Sequence, residues 1–90
     1  MKPSHFIVFI ICESGSREII GAFPFFSAAD NFLKNYKTES LSAQIKGWEE
    51  DKLIFETAYT KDDKSNFVRN IIVDRFRSEG EAGQRPQWYL

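Results

Sequence analysis

Asp62-Asp63-Lys64-Ser65-Asn66-Phe67-Val68-Arg69-Asn70-Ile71-Ile72-Val73-Asp74-Arg75-Phe76-Arg77 is the stretch on which the architecture turns. Phe67, Val68, Ile71, Ile72 and Phe76 recur at helical spacing, with Arg69, Asn70, Asp74 and Arg77 on the opposite side. An aspartate before such a stripe is a good N-cap, because its carboxylate accepts from the backbone N–H groups of the first turn. The stretch therefore predicts a helix capped by Asp62 or Asp63.

A second helix is predicted upstream. Ser27 serves as its cap, and Asp30 places negative charge in its first turn. Ala28, Ala29, Phe32, Leu33 and Tyr36 form its apolar stripe, and it should end near Thr38. Shifting the chain by 35 residues lays Asn31-Phe32-Leu33-Lys34-Asn35-Tyr36 on Asn66-Phe67-Val68-Arg69-Asn70-Ile71. Three of the six positions are identical, and the same shift puts Ser27 on Asp62 and Ile19-Ile20 on Ile54-Phe55. Agreement of caps, strands and helix phase with one shift favours duplication.

Each helix follows a pair of strands. Phe6 to Cys12 is β-branched and aromatic, and Glu13-Ser14-Gly15-Ser16 supplies turn chemistry. Glu18 to Phe23 resumes the apolar pattern and should stop, or lie on an edge, at Pro24. Leu41, Ala43 and Ile45 alternate with Ser42, Gln44 and Lys46 in a third strand. After the polar turn Glu49-Glu50-Asp51, Leu53 to Tyr59 is the returning strand. The expected order is ββαββα: tandem hairpin-helix units in residues 5–38 and 41–77. They would form one α+β domain over residues 1–78, a four-stranded antiparallel sheet with two helices on one face. Residues 79–90 read as a flexible linker, Glu79 to Gly83, and an extended C-terminal tail ending in Trp88-Tyr89-Leu90. The passage from Ile19 to Phe23 into Ser27-Ala28-Ala29 resembles the hairpin-to-helix passage of small bacterial and phage domains. That resemblance carries no activity across.

At 90 residues the chain has room for one core, and its nine Phe, three Tyr and two Trp are what fill it. A formal net charge of −1 gives no global field to concentrate nucleic acid or anionic lipid. The apolar run from Phe6 to Cys12 is too short to cross a bilayer and has no convincing cleavage site after it, so it reads as a buried strand of a cytoplasmic protein.

Catalytic and cofactor chemistry is not expected. One cysteine and one histidine cannot supply a zinc site, and Cys12 and His5 stand too far apart on one extended strand to pair. The carboxylates at Glu49, Glu50, Asp51, Asp62 and Asp63 fall in turns and caps, where hydration keeps them ordinary. No glycine-rich phosphate loop is present. The expected site residues are therefore partner-binding ones: no catalytic residue, no cofactor and no metal.

Two features suggest such a partner. In the first strand both phases are apolar, Phe6, Val8 and Ile10 against Ile7, Phe9 and Ile11, so a sheet covered on one face needs a second cover. The C-terminal tail, a second copy of the chain and a protein partner are the candidates. The second feature is Arg69, Arg75, Arg77 and Arg85 with Trp88 and Tyr89, a vocabulary shared by protein hot spots and single-stranded nucleic-acid binders. The turn Trp48-Glu49-Glu50-Asp51 adds an exposed aromatic beside three acids. The leading expectation is a protein-binding module of adaptor or inhibitor type, such as a phage accessory protein. A single-stranded nucleic-acid binder is the alternative, and a ligand sensor with a pocket between the repeats is the third reading.

Overall fold

A computed structural model describes residues 3–76, with side chains as far as Asn70. The chain runs β1 (His5–Ile11), β2 (Arg17–Phe23), α1 (Phe26–Lys34), β3 (Ser42–Glu49), β4 (Lys52–Lys61) and β5 (Phe67–Phe76). The five strands form one sheet in the order β2-β1-β3-β4-β5, every neighbouring pair antiparallel. The expectation of two helices on a four-stranded sheet is overturned: one short helix covers one face of a five-stranded sheet.

The first hairpin forms where its turn chemistry puts it. Cys12 accepts from Gly15 N at 2.9 Å and donates to Ser16 O at 2.8 Å, and Gly15 adopts φ +86°. Glycine reaches that region without the steric cost a Cβ would impose. β2 ends at Phe23, one residue before Pro24, and is an edge strand. β1 lies between β2 and β3, and its burial alternates strictly. Phe6, Val8 and Ile10 go into the core beneath α1, while Ile7, Phe9 and Ile11 are half-buried on the other face.

The stripe read for α1 does pack: Ala29 and Leu33 are buried in the core, with Phe26, Phe32 and Tyr36 packed against it. Its ends differ from expectation. Phe25, in extended conformation, occupies the N-cap position with no side-chain cap bond, so Ser27 is not the cap. No acid lies in the first turn. Asp30 sits further along, 2.8 Å from Lys34 Nζ, and accepts from the buried Tyr59 hydroxyl at 2.5 Å. The helix stops at Lys34 rather than near Thr38, and the Asn35 side chain donates back to Asn31 O at 2.8 Å.

The deciding stretch is strand, not helix. Asp62 Oδ1 accepts from Lys64 N and Asn66 N, both at 2.9 Å, and Asp62 N donates to Asn66 O at 2.9 Å. With Ser65 at φ +63°, these bonds close a tight turn that returns the chain along β4. A carboxylate accepting from N–H groups just downstream serves a turn as well as a helix cap, so the same signal supports both readings. Val68, Ile71, Ile72 and Val73 are β-branched, and β4 offers a ladder on which to place them. The paired isoleucines that mimic helical spacing fall where the register breaks. Four residues of β5, 71–74, stand against Thr57 alone between the pairs Ala58↔Asn70 and Glu56↔Arg75. The matched hexapeptides thus fold differently, Asn31–Tyr36 mostly as helix and Asn66–Ile71 mostly as strand, and the two units are not structural copies.

Removing the Asp62 acceptor tests this turn. Asp62→Ala should cost about 1–2 kcal/mol, the net worth of two exposed hydrogen bonds, and Asp62→Asn should recover most of it. Urea midpoints of the three proteins read the difference; an unchanged alanine variant would show that the turn does not depend on the carboxylate.

Candidate functional site

The face of the sheet opposite α1 is where side chains suited to recognition collect. Directly opposed residues share a face, so the register assembles it row by row. Ile7 lies between Ala22 and Lys46, Phe9 between Ile19 and Gln44, and Ile11 between Arg17 and Ser42. Beyond β3 the rows continue through Glu56, Ala58 and Thr60 to Asn70 and Val68. The face is apolar over β1 and β2 and mixed over β3 to β5. At the seam, Lys46 Nζ lies 5.7 Å from the centroid of the Phe9 ring and 3.8 Å from Glu56 Oε1. Ile19, at 64 % exposed, is the most open large hydrophobic side chain of the apolar half.

Both edges of this sheet are irregular. On β2, Ile20 is an extra residue between the pairs Phe9↔Ile19 and Val8↔Gly21. On β5, the register breaks at residues 71–74. Irregularities of this kind blunt edge-to-edge strand pairing, so recognition is better served by the face than by an added strand.

The residues expected to bind a partner separate into three groups. Trp48, Glu49, Glu50 and Asp51 do come together at the β3–β4 connection. Trp48, however, is not in the turn: it is a half-buried β3 residue opposite His5 and Leu53. Its carbonyl accepts from Ser4 N at 2.7 Å and Ser4 Oγ at 3.2 Å. The turn itself is Glu50-Asp51, with Glu50 at φ +55°.

Arg69 belongs elsewhere. It is part-buried opposite Tyr59, and its guanidinium lies 5.1 Å from the Phe26 ring centroid, so it closes the core beside α1. Arg75 stands opposite Glu56 in the β4–β5 ladder. Arg77, Arg85, Trp88 and Tyr89 lie outside the described residues. Sequence reasoning missed Ile19, Gln44, Lys46 and Glu56. The alternation of Ser42, Gln44 and Lys46 was the available signal for β3, but the Glu56 partner needs the register.

At the far end of the sheet an open groove of about 930 Å³ runs between the β1–β2 turn and the α1–β3 connection. Ile10, Cys12, Glu18, Glu39 and Leu41 line it. It is not a cleft between repeats, since the repeats do not exist as structural units. Cys12 is a free thiol at this end, and His5 begins β1 at the other, its Nδ1 3.1 Å from Ser4 Oγ. Among the described residues no three His, Cys, Asp or Glu side chains are grouped to hold a metal ion. No helix among them is long and apolar enough to cross a membrane. The chain matches no family model, no curated protein and no solved structure.

Proposed function

We propose that this chain is a small non-enzymatic protein-binding module of adaptor or inhibitor type, docking through the β1–β2 half of the sheet face opposite α1. The observation that carries the reading is β1 itself. An inner strand presents Ile7, Phe9 and Ile11 on the face that α1 does not cover, continued by Ile19 on the neighbouring strand. Apolar area with a polar margin is the composition of a docking patch, and here Gln44, Lys46 and Glu56 supply the margin. A single free cysteine, Cys12, fits a reducing, cytoplasmic setting.

The nucleic-acid alternative draws less support. It needs Arg69 beside the tail aromatics, whereas the Arg69 guanidinium is spent on the Phe26 ring, and a chain of net charge −1 gains little from phosphate neutralisation.

Ile19→Glu separates the readings. The side chain is mostly exposed, so the fold should tolerate the change within about 0.5 kcal/mol. Tagged wild type expressed in its own cells should recover a stoichiometric protein partner that Ile19→Glu loses, and moderate salt should leave that binding in place. Equal recovery by both proteins would remove the face as the docking site. Capture of single-stranded nucleic acid, falling steeply with salt, would replace the proposal by the alternative.

A further inference from the structure

The groove at the far end of the sheet combines an apolar lining with charge of one sign. Ile10 and Ile11 of β1 line it, and so does Leu41, which is 72 % exposed and outside the core cluster. Glu13 from the β1–β2 turn, Glu18 from β2 and Glu39 from the α1–β3 connection complete the lining, all three exposed. No ion pair among the described residues involves any of these carboxylates. No lysine or arginine lines the groove. Arg17 and Lys37, next to lining residues in sequence, are outside it, and Arg17 stands in the row of the opposite face. The Lys61 ammonium donates to Thr38 O and lies 5.2 Å from the Phe67 ring centroid.

Both walls are held before anything binds. Cys12 N donates to Ser16 O at 2.8 Å across one turn, and Leu41 O accepts from Lys61 N at 3.0 Å on the other side. Little ordering of the loops is therefore lost on association. The volume of about 930 Å³ is at the upper end of the range for ligand clefts, about 300–1,000 Å³, and its open form suits a chain segment.

We propose that this groove binds a short basic segment of a protein partner, extended, with lysine or arginine on each side of an aliphatic residue. The aliphatic side chain packs against Leu41. The basic side chains lay their stems on the apolar lining and bring their heads to Glu13, Glu18 and Glu39. Unneutralised carboxylates gather cations and repel phosphate, which selects a basic peptide over nucleic acid. The proposal goes beyond the docking reading above, with its own charged residues and with Ile11 as the edge the two surfaces share.

Titration of the isotope-labelled full chain at low salt with the capped pentapeptide Ala-Lys-Leu-Arg-Ala tests it. Amide shifts should saturate and concentrate at residues 12–18 and 38–42. Glu13→Gln, Glu18→Gln and Glu39→Gln together should weaken binding about tenfold, through the loss of three exposed charge contacts. Leu41→Ser should weaken it several-fold. Glu50→Gln with Asp51→Asn, an equally exposed acidic pair at the other end of the sheet, should leave it unchanged. All these side chains are exposed, so the variants should keep the wild-type spectrum away from the altered residues. No shift at millimolar peptide, shifts spread over every acidic segment, or a triple glutamine variant that binds like wild type would overturn the proposal. So would undiminished binding of the peptide with serine in place of its leucine, since charge alone would then account for it. Equal partner recovery by wild type and Ile19→Glu would sink the docking reading and leave this titration unaffected.

Discussion

Phe55→Ala should be among the most damaging single substitutions in this domain, costing about 3–5 kcal/mol. Phe55 is fully buried on β4, and among the described residues its ring meets those of Phe6 and Phe26 edge to face. The Phe6 centroid is 6.3 Å away at 75°, and that of Phe26 is 5.4 Å away at 86°. Phe6 and Phe26 also meet each other at 5.8 Å, so the three rings are in mutual contact and join β1, α1 and β4. Truncation removes the apolar area of one ring and the geometric preference of its pairs with Phe6 and Phe26. The cavity left behind cannot collapse easily, because Gly47 on β3 opposite Phe55 is already crowded. A Cβ built on Gly47 would stand 2.9 Å from Pro3 Cγ and 3.0 Å from Phe6 Cε1.

A domain of this size commonly has only about 5–15 kcal/mol of stability, so the loss should bring it near its unfolding threshold. Thermal unfolding should show a midpoint lowered by roughly 15–30 °C. Leu41→Ala is the matched control: Leu41 is 72 % exposed, and its truncation should change stability by no more than about 0.5 kcal/mol. Similar midpoints for the two variants would show that the ring cluster is not the centre of the core.

Much of the strand layout was legible because strands announce themselves by composition and by the turns between them. The Phe6 to Cys12 run, the glycine turn at Gly15 and the stop at Pro24 all carry local information, and β1 and β2 lie where these put them. What escaped was the choice between helix and strand for residues 67–76. Its apolar spacing, its acidic lead and its likeness to Asn31–Tyr36 all matched a helix. Tertiary structure decided against the helix: β4 needed a partner, and an irregular register absorbed the doubled isoleucines. Pairing energy outweighed local pattern, as it can where intrinsic preference is worth only a few tenths of a kcal/mol per residue. The site was legible to the same extent. An inner strand apolar on both faces implied a second cover, but the opposition of Lys46 to Glu56 and the turning of Arg69 onto Phe26 depend on register, which one sequence does not print.

The same balance predicts the behaviour of α1. Nine residues are fewer than an isolated helix needs in water, and this one lacks a side-chain N-cap bond, so it exists because the sheet holds it. Two fully buried side chains do most of the holding, Ala29 and Leu33. Tyr59 adds a polar anchor from β4 through its hydroxyl bond to Asp30. Leu33→Ala should therefore cost about 2–5 kcal/mol, and the cost should appear as lost docking of α1 as well as lost core volume. Amide exchange can resolve the two. In wild type, the α1 amides should exchange at rates tied to the opening of Val8, Ile45 and Tyr59 in the central strands. In Leu33→Ala, α1 should exchange faster than those strands, opening as a unit while the sheet persists. Strengthening the cap without touching the core, by Phe25→Ser, should not rescue protection, because Phe25 already lies outside the buried set at 56 % exposed and a cap is worth only about 1 kcal/mol. Rescue by that change would mean that α1 is limited by its own end and not by the sheet. Uniform acceleration in helix and strands would mean that the two layers open only together.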